Sequence, residues 1–258
     1  MRKISLFIAL AAFLILSARI AGAAAFDFSD WDALLKKYTY AGTKENVHLT
    51  LVKYNLLKED KQFKNLIRKL EKFPANSLKT HNEKLSFWLN VYNIMAIKMV
   101  LEHYPIESVK DIGSWFSRVW NKNVGIIGGK VYSLNDIEHG ILRKMGEPHI
   151  HTALVCASIS CPDIIKDSYR PEIISTQLEN QVRRFLANET KGFAVHQTEK
   201  SIYISPIFKW FRNDFQINGG VINCLKRHVP SEKRKYLKYL ESGEYSIKYL
   251  DFNWNLNG

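Results

Sequence analysis

The chain has 258 residues, 46% of them hydrophobic and 24% charged, with only three cysteines. That is enough apolar mass for one sizeable core, and too few cysteines for a disulfide scaffold; there is no internal repeat. Its net charge of +12 is spread over lysine runs interrupted by acids, at Lys36–Lys84 and Lys226–Lys248, as on solvated helix faces. The charge fits solubility and loose attraction to anionic envelope surfaces; no nucleic-acid partner is expected of an exported chain.

The N-terminus carries Arg2 and Lys3, an apolar run from Ile4 to Ala18, and small-residue cleavage sites at Ala21-Gly-Ala23 and Ala23-Ala-Ala25. This is the pattern of a secretory signal peptide over residues 1–25, which implies a periplasmic or secreted protein. A retained anchor is the alternative, but Arg19 interrupts the run. No later segment is long and apolar enough to span a bilayer.

Residues 28–40 predict a short helix with Trp31, Leu34 and Leu35 on its apolar side. Val47–Phe73 has helical periodicity broken near Leu57–Lys61, so residues 26–75 read as an N-terminal helical segment. The core domain then spans 76–258. Leu85–Tyr104 is the strongest helix, ended by Pro105. Val124–Ile127 and Lys130–Ser133 flank Gly128-Gly129 as a hairpin. Ser133-Leu-Asn-Asp136 is a capping box opening a helix to Lys144. Ile150–Cys156 reads as a buried strand, and Pro171–Asn188 as a helix with Pro171 in its first turn. A second hairpin at Phe193–Val195 and Ser201–Ile204, helices at Ile222–His228 and Ser231–Leu240, and a closing strand at Tyr245–Leu250 complete the chain. The sum is a single helix-rich α+β domain with a small mixed or antiparallel sheet.

Residues that break their local pattern carry the functional argument. Asn90 and Asn93 point inward from an otherwise apolar helix; they either satisfy backbone or help position an imidazole or an oxyanion. Leu134, Ile137, Ile141 and Leu142 define the buried face of the helix after Ser133. At 100° per residue Glu138 falls inside that arc, with His139 at its border and Arg143 one turn beyond. A carboxylate there is either part of a structural pair or the orienter of a catalytic imidazole. His151-Thr-Ala-Leu-Val-Cys156-Ala-Ser158-Ile-Ser160-Cys161-Pro162 then supplies a thiol before small residues. In a regular strand His151 faces away from Cys156. Cys156 is read as a nucleophile, as half of a disulfide with Cys161, or as a small buried residue; Cys161 could also pair with Cys224. His149, His151, Cys156 and Cys161 could hold zinc, though their spacing lacks a metal signature, and no metal or other cofactor is expected. Trp88 and Trp210 are the tryptophans expected to wall a cleft.

Phe87-Trp-Leu-Asn90-Val-Tyr-Asn93, Ile137-Glu138-His139 with Ile141-Leu142-Arg143, and the His151–Pro162 stretch together resemble the family called domain of unknown function 547. Tyr169, Trp210-Phe-Arg-Asn-Asp214-Phe215 and Tyr249-Leu-Asp-Phe-Asn-Trp-Asn-Leu-Asn257 resemble its C-terminal pattern. The resemblance implies that amide, carboxylate, imidazole and thiol recur as one set, and that Cys156 is not obliged to pair with Cys161. By analogy alone the set is similar in kind to papain and transglutaminase-type thiol hydrolases, whose residue order differs. The expectation is a thiol-dependent hydrolase or acyltransferase on an amide, thioester or peptide-like substrate. Cys156 would be the nucleophile, His139 the base, Glu138 its orienter and His151 the reserve base. Arg143, Ser158, Ser160, Cys161 and Trp88 would bind substrate or support the site. The rival expectation is a non-enzymatic envelope-binding module with a Cys156–Cys161 disulfide.

Overall fold

A computed structural model of the chain describes residues 25–113 and 119–258. The leader expected at the N-terminus lies, but for Ala25, outside them. Among the described residues no helix is long and apolar enough to cross a membrane.

Leu89, Val91, Ile94, Met95 and Ala96 occupy every side of one helix, His81–His103, and all are fully buried. A helix apolar all round must be central, and the fold is assembled about it. It opens on a capping box: Thr80 Oγ1 accepts from the Glu83 amide at 3.1 Å, and Glu83 Oε2 accepts from the Thr80 amide at 2.8 Å. Its Lys98 pairs with Glu102, one turn on, at the helix edge.

Residues 26–75 fold against this helix and not as a helical segment of their own. Trp31, Leu34, Leu66 and Leu70 share one hydrophobic cluster with it. Helices Ser29–Tyr38 and Lys61–Lys72 are present, but Val47–Val52 is a strand, paired antiparallel with Thr39–Lys44. The turn between them is Glu45-Asn46, both at positive φ (49° and 63°). Glutamate is a poor left-handed residue, so the turn leaves no sequence signal.

The glycine hairpin forms as expected from Asn123–Ile127 and Lys130–Ser133. Gly128, at φ 55°, lies so close to the helix Lys61–Lys72 that a Cβ there would meet the Phe73 carbonyl oxygen at 2.6 Å. The next segment departs from expectation. Its Ser133–Asp136 capping box is present, but Asp136–Leu142 is π-helical and Arg143–Met145 is 3-10.

Ile150–Cys156 is not a strand. Pro148–Thr152 is a 3-10 turn whose first amide is capped by the Glu147 carboxylate. The Ala153 and Leu154 amides both return to the Ile150 carbonyl, so they are not offered to a ladder. An apolar run of this length is equally compatible with a buried irregular segment.

Ile174–Ala187 starts three residues after Pro171 and leads into a second cluster built on Val182, Phe185, Phe193, Ile202, Phe208 and Leu225. Its three-stranded sheet is mixed. Phe193–His196 is antiparallel to Ser201–Ile204, and Ser246–Tyr249 is parallel to it. Helices Gly220–His228 and Arg234–Glu241 complete this part. The last residues return to the first cluster, where Leu256 and Asn257 donate to the Glu107 and Ala157 carbonyls. The whole is an α+β domain, as the sequence pattern predicted.

Candidate active site

Cys156 is the one residue between Pro148 and Pro162 that is not buried. It opens onto a cleft of about 150 Å³ lined by Tyr92, Glu138, His139, His151, Cys161 and a wall of aromatic rings. The ring wall consists of Trp120, Trp210, Phe211, Phe252 and Trp254, drawn from three separate stretches of chain.

The thiol is held by its own loop. Ala157 follows it at φ 63°, a conformation that costs a non-glycine residue roughly 1–2 kcal/mol and is sustained by surrounding contacts. Those contacts come from the C-terminus. The Ile159 and Ser160 amides donate to the Asn255 and Asn253 carbonyls, and Ser160 Oγ accepts from the Asn253 amide at 2.9 Å. Ser160 is therefore a positioning residue. Ser158 Oγ lies 3.0 Å from Cys156 Sγ.

All three cysteines are free thiols. Cys161 Sγ accepts from the Cys156 amide at 2.7 Å, so that amide is already committed. Burial works against a Cys156 thiolate, but the Cys161 thiol and the Ser158 hydroxyl and amide outweigh it and lower its pKa. Cys161 itself is pushed up, by burial and by the neighbouring Cys156. The thiol with room to react is thus also the one with the greater tendency to ionise. Cys224 lies in the second hydrophobic cluster, away from this loop.

His151 and Cys156 share the cleft because the segment between them is a turn and not a strand; the alternation that separated them does not apply. His151 Nε2 lies 2.8 Å from Asp214 Oδ2. An ionised carboxylate only accepts, so Nε2 carries the proton and Nδ1 keeps its lone pair. The ring is stacked on Phe211, with centroids 3.8 Å apart and planes 13° from parallel. Burial lowers its pKa to about 4 despite Asp214, so it is neutral at ordinary pH. Arg143 fixes Asp214 from the other side with two bonds of 2.6 Å. The Arg143 guanidinium, more than burial opposes it, holds Asp214 down to about 2.

Glu138 and His139 do not form the expected pair. Glu138 accepts from the Tyr92 hydroxyl at 3.1 Å, and burial raises its pKa from 4.5 to about 7. His139 Nδ1 lies 3.1 Å from Arg143 Nη1. Arginine cannot accept, so the His139 proton is on Nε2. Burial and then Arg143 lower its pKa, and it stays neutral. His139 is taken by Arg143, four residues on, while Glu138 turns inward to Tyr92, as its place in the apolar arc predicted.

The two asparagines serve backbone. Asn90 exchanges both bonds with Tyr169, at 2.9 Å each. Asn93 donates to the Ala153 carbonyl at 3.1 Å and accepts from the Val155 amide at 3.0 Å. They therefore shape the thiol loop and do not line the cleft. Replacing Asn93 by leucine leaves two buried backbone groups unpaired and is expected to cost about 2–4 kcal/mol of stability, readable by urea denaturation. Trp88 is buried among Phe87 and Tyr132 and is no part of the cleft, whereas Trp210 is. The zinc set read from sequence is divided: His151 faces Asp214 and His149 lies near Cys224.

Asp214, Tyr92 and the rings of Trp120, Phe252 and Trp254 are the residues that sequence reasoning missed. Asp214 is 63 positions from His151; the sequence places it in the C-terminal motif Trp210–Phe215 but gives it no role there.

An α+β fold with a thiol, a carboxylate-anchored imidazole and a desolvated carboxyl in one cleft has the composition of a nucleophilic site. Residues 75–186 match the family model described as "Protein of unknown function, DUF547", which supports membership of that family through this segment. No curated protein and no solved structure matches the chain.

Proposed function

We propose that the protein is an exported thiol-dependent hydrolase or acyltransferase acting on an amide, thioester or peptide-like substrate. The observation that carries this reading is the single accessible position in an otherwise buried stretch, occupied by a thiol that shares a cleft with a histidine anchored on Asp214. In the reaction, the neutral Nδ1 of His151 takes the Cys156 proton as sulfur attacks the acyl carbon. The resulting imidazolium is stabilised by Asp214 and gives the proton to the leaving group. Water or a second acceptor then releases the acyl group from sulfur by the reverse transfer. His151 replaces His139 as the base, because His139 spends its lone pair on Arg143. The Nε2 proton of His139 is instead available to a developing oxyanion. The periplasmic address rests on the leader pattern of residues 1–25.

Glu138 gives this reading a pH dependence. Its folded pKa, about 7, lies above the ordinary 4.5, so the folded state holds a proton that the unfolded chain has released. Stability therefore falls as pH rises from about 4.5 to about 7, by about 2–3 kcal/mol. Its ionisation also raises the Cys156 pKa. Glu138→Gln is expected to gain thermal stability over the wild type at pH 8 and to lower the pKa of Cys156; melting curves against pH and thiol alkylation rates check both.

Thiol titration of protein purified without reductant tests the function directly. One thiol reacting far faster than the other two is the expected result. Cys156 and Cys161 both inert until reduced would favour a binding module with a structural disulfide.

A further inference from the structure

A second cluster of ligating side chains lies outside the cleft. His149, Cys224 and His228 are all buried, and a ligand atom from each falls within 4.8 Å of the others. Cys224 and His228 sit one turn apart on the helix Gly220–His228, and His149 comes from the turn Pro148–Thr152. Two features favour a cation over simple packing.

The first is orientation. His149 Nδ1 lies 3.0 Å from Glu147 Oε1, and His228 Nε2 lies 2.9 Å from Glu179 Oε2. Each imidazole is thus anchored on a carboxylate through one nitrogen, the arrangement that fixes the ring of a metal-binding histidine. The second is spacing. His228 Nδ1 is 3.7 Å from Cys224 Sγ. Ordinary zinc–nitrogen and zinc–sulfur bonds at a tetrahedral angle place the two donors about 3.6 Å apart.

We propose that His149, Cys224 and His228 bind a zinc-type divalent cation, with the fourth position left to water. Nitrogen and thiolate donors select zinc over calcium or magnesium. Binding expels the Cys224 thiol proton and the proton that His228 Nδ1 shares with the Cys224 carbonyl to solvent, and Nδ1 exchanges that contact for the metal. The cation would tie the C-terminal cluster to the turn that carries His151, two residues from His149. Its role is therefore structural, and the proposal does not depend on the thiol chemistry of Cys156.

Metal analysis and cobalt spectroscopy of the mature chain decide it. The expected results are a single equivalent of zinc retained through gel filtration and a raised melting temperature. Cobalt loading should give intense tetrahedral visible bands and a thiolate-to-cobalt charge-transfer band. Cys224→Ser should lose the charge-transfer band and weaken zinc binding by roughly tenfold or more. His228→Gln supplies the same comparison should the serine protein fail to fold. A Cys156→Ser, Cys161→Ser protein should keep both signals. No zinc uptake by the wild-type chain would overturn the proposal. So would a charge-transfer band that survives in Cys224→Ser or disappears with Cys156 and Cys161.

Discussion

On the proposed mechanism, Cys156→Ser is expected to fold like the wild type and to lose acyl transfer by about 10³-fold or more. The substitution changes sulfur to oxygen at a partly exposed position whose neighbours are held by other groups. The loop after it is pinned by Asn253 and Asn255, and the segment before it by Asn93. Stability should therefore stay within about 0.5 kcal/mol of wild type. A serine hydroxyl in the same place has a far higher pKa, and a neutral imidazole with a pKa of about 4 is too weak a base to compensate. Cys161→Ala separates the two thiols. It removes the acceptor of the Cys156 amide and one of the groups that lower the Cys156 pKa. A partial loss of rate is expected there, much smaller than with Cys156→Ser. Steady-state turnover of an activated acyl donor, together with circular dichroism, checks both proteins.

Asp214→Asn should lower kcat/KM by about 10²- to 10⁴-fold and destabilise the fold as well. The carboxylate performs two tasks. It holds the Nε2 proton of His151, which leaves Nδ1 free for Cys156, and it neutralises Arg143 through two short bonds. An asparagine can present its N–H to His151, which favours the wrong tautomer, and it leaves the guanidinium without a counter-ion. Asp214 has a folded pKa of about 2 against an ordinary 3.8. It therefore contributes about 2 kcal/mol above pH 4, which is lost as pH falls toward 2. The wild-type and variant stabilities should differ by that amount at pH 7 and converge near pH 2, as followed by chemical denaturation across pH.

The sequence made the chemistry of this site more legible than its geometry. Cys156 stands out because small residues follow it, and Glu138 because it interrupts an apolar arc; both line the cleft. The pairing of those groups was not legible. It depended on treating Asp136–Leu142 as a 100° helix and Ile150–Cys156 as a strand, and neither winding holds. A π-helix has no composition of its own, and a buried apolar run does not declare whether its amides meet a ladder or a neighbouring asparagine. Asn93 does mark the answer. An inward amide on a fully buried helix must satisfy some backbone, and here it satisfies the segment mistaken for a strand. Asp214 sits beside Phe215 of the other hydrophobic cluster, and only the tertiary fold brings it to His151. Helices and glycine hairpins were readable because caps and turn residues are local. The hairpin Thr39–Val52 was not, because its turn uses Glu45 and Asn46.

Intact-mass and peptide mapping of the wild-type chain after brief exposure to an activated acyl donor is the most direct test of the central claim. The account predicts one acyl group, located on Cys156 and released with time, formed slowly or not at all when His151 is replaced by asparagine. An adduct on Cys161 or Cys224, or an adduct on Cys156 that forms equally fast without His151, would contradict it.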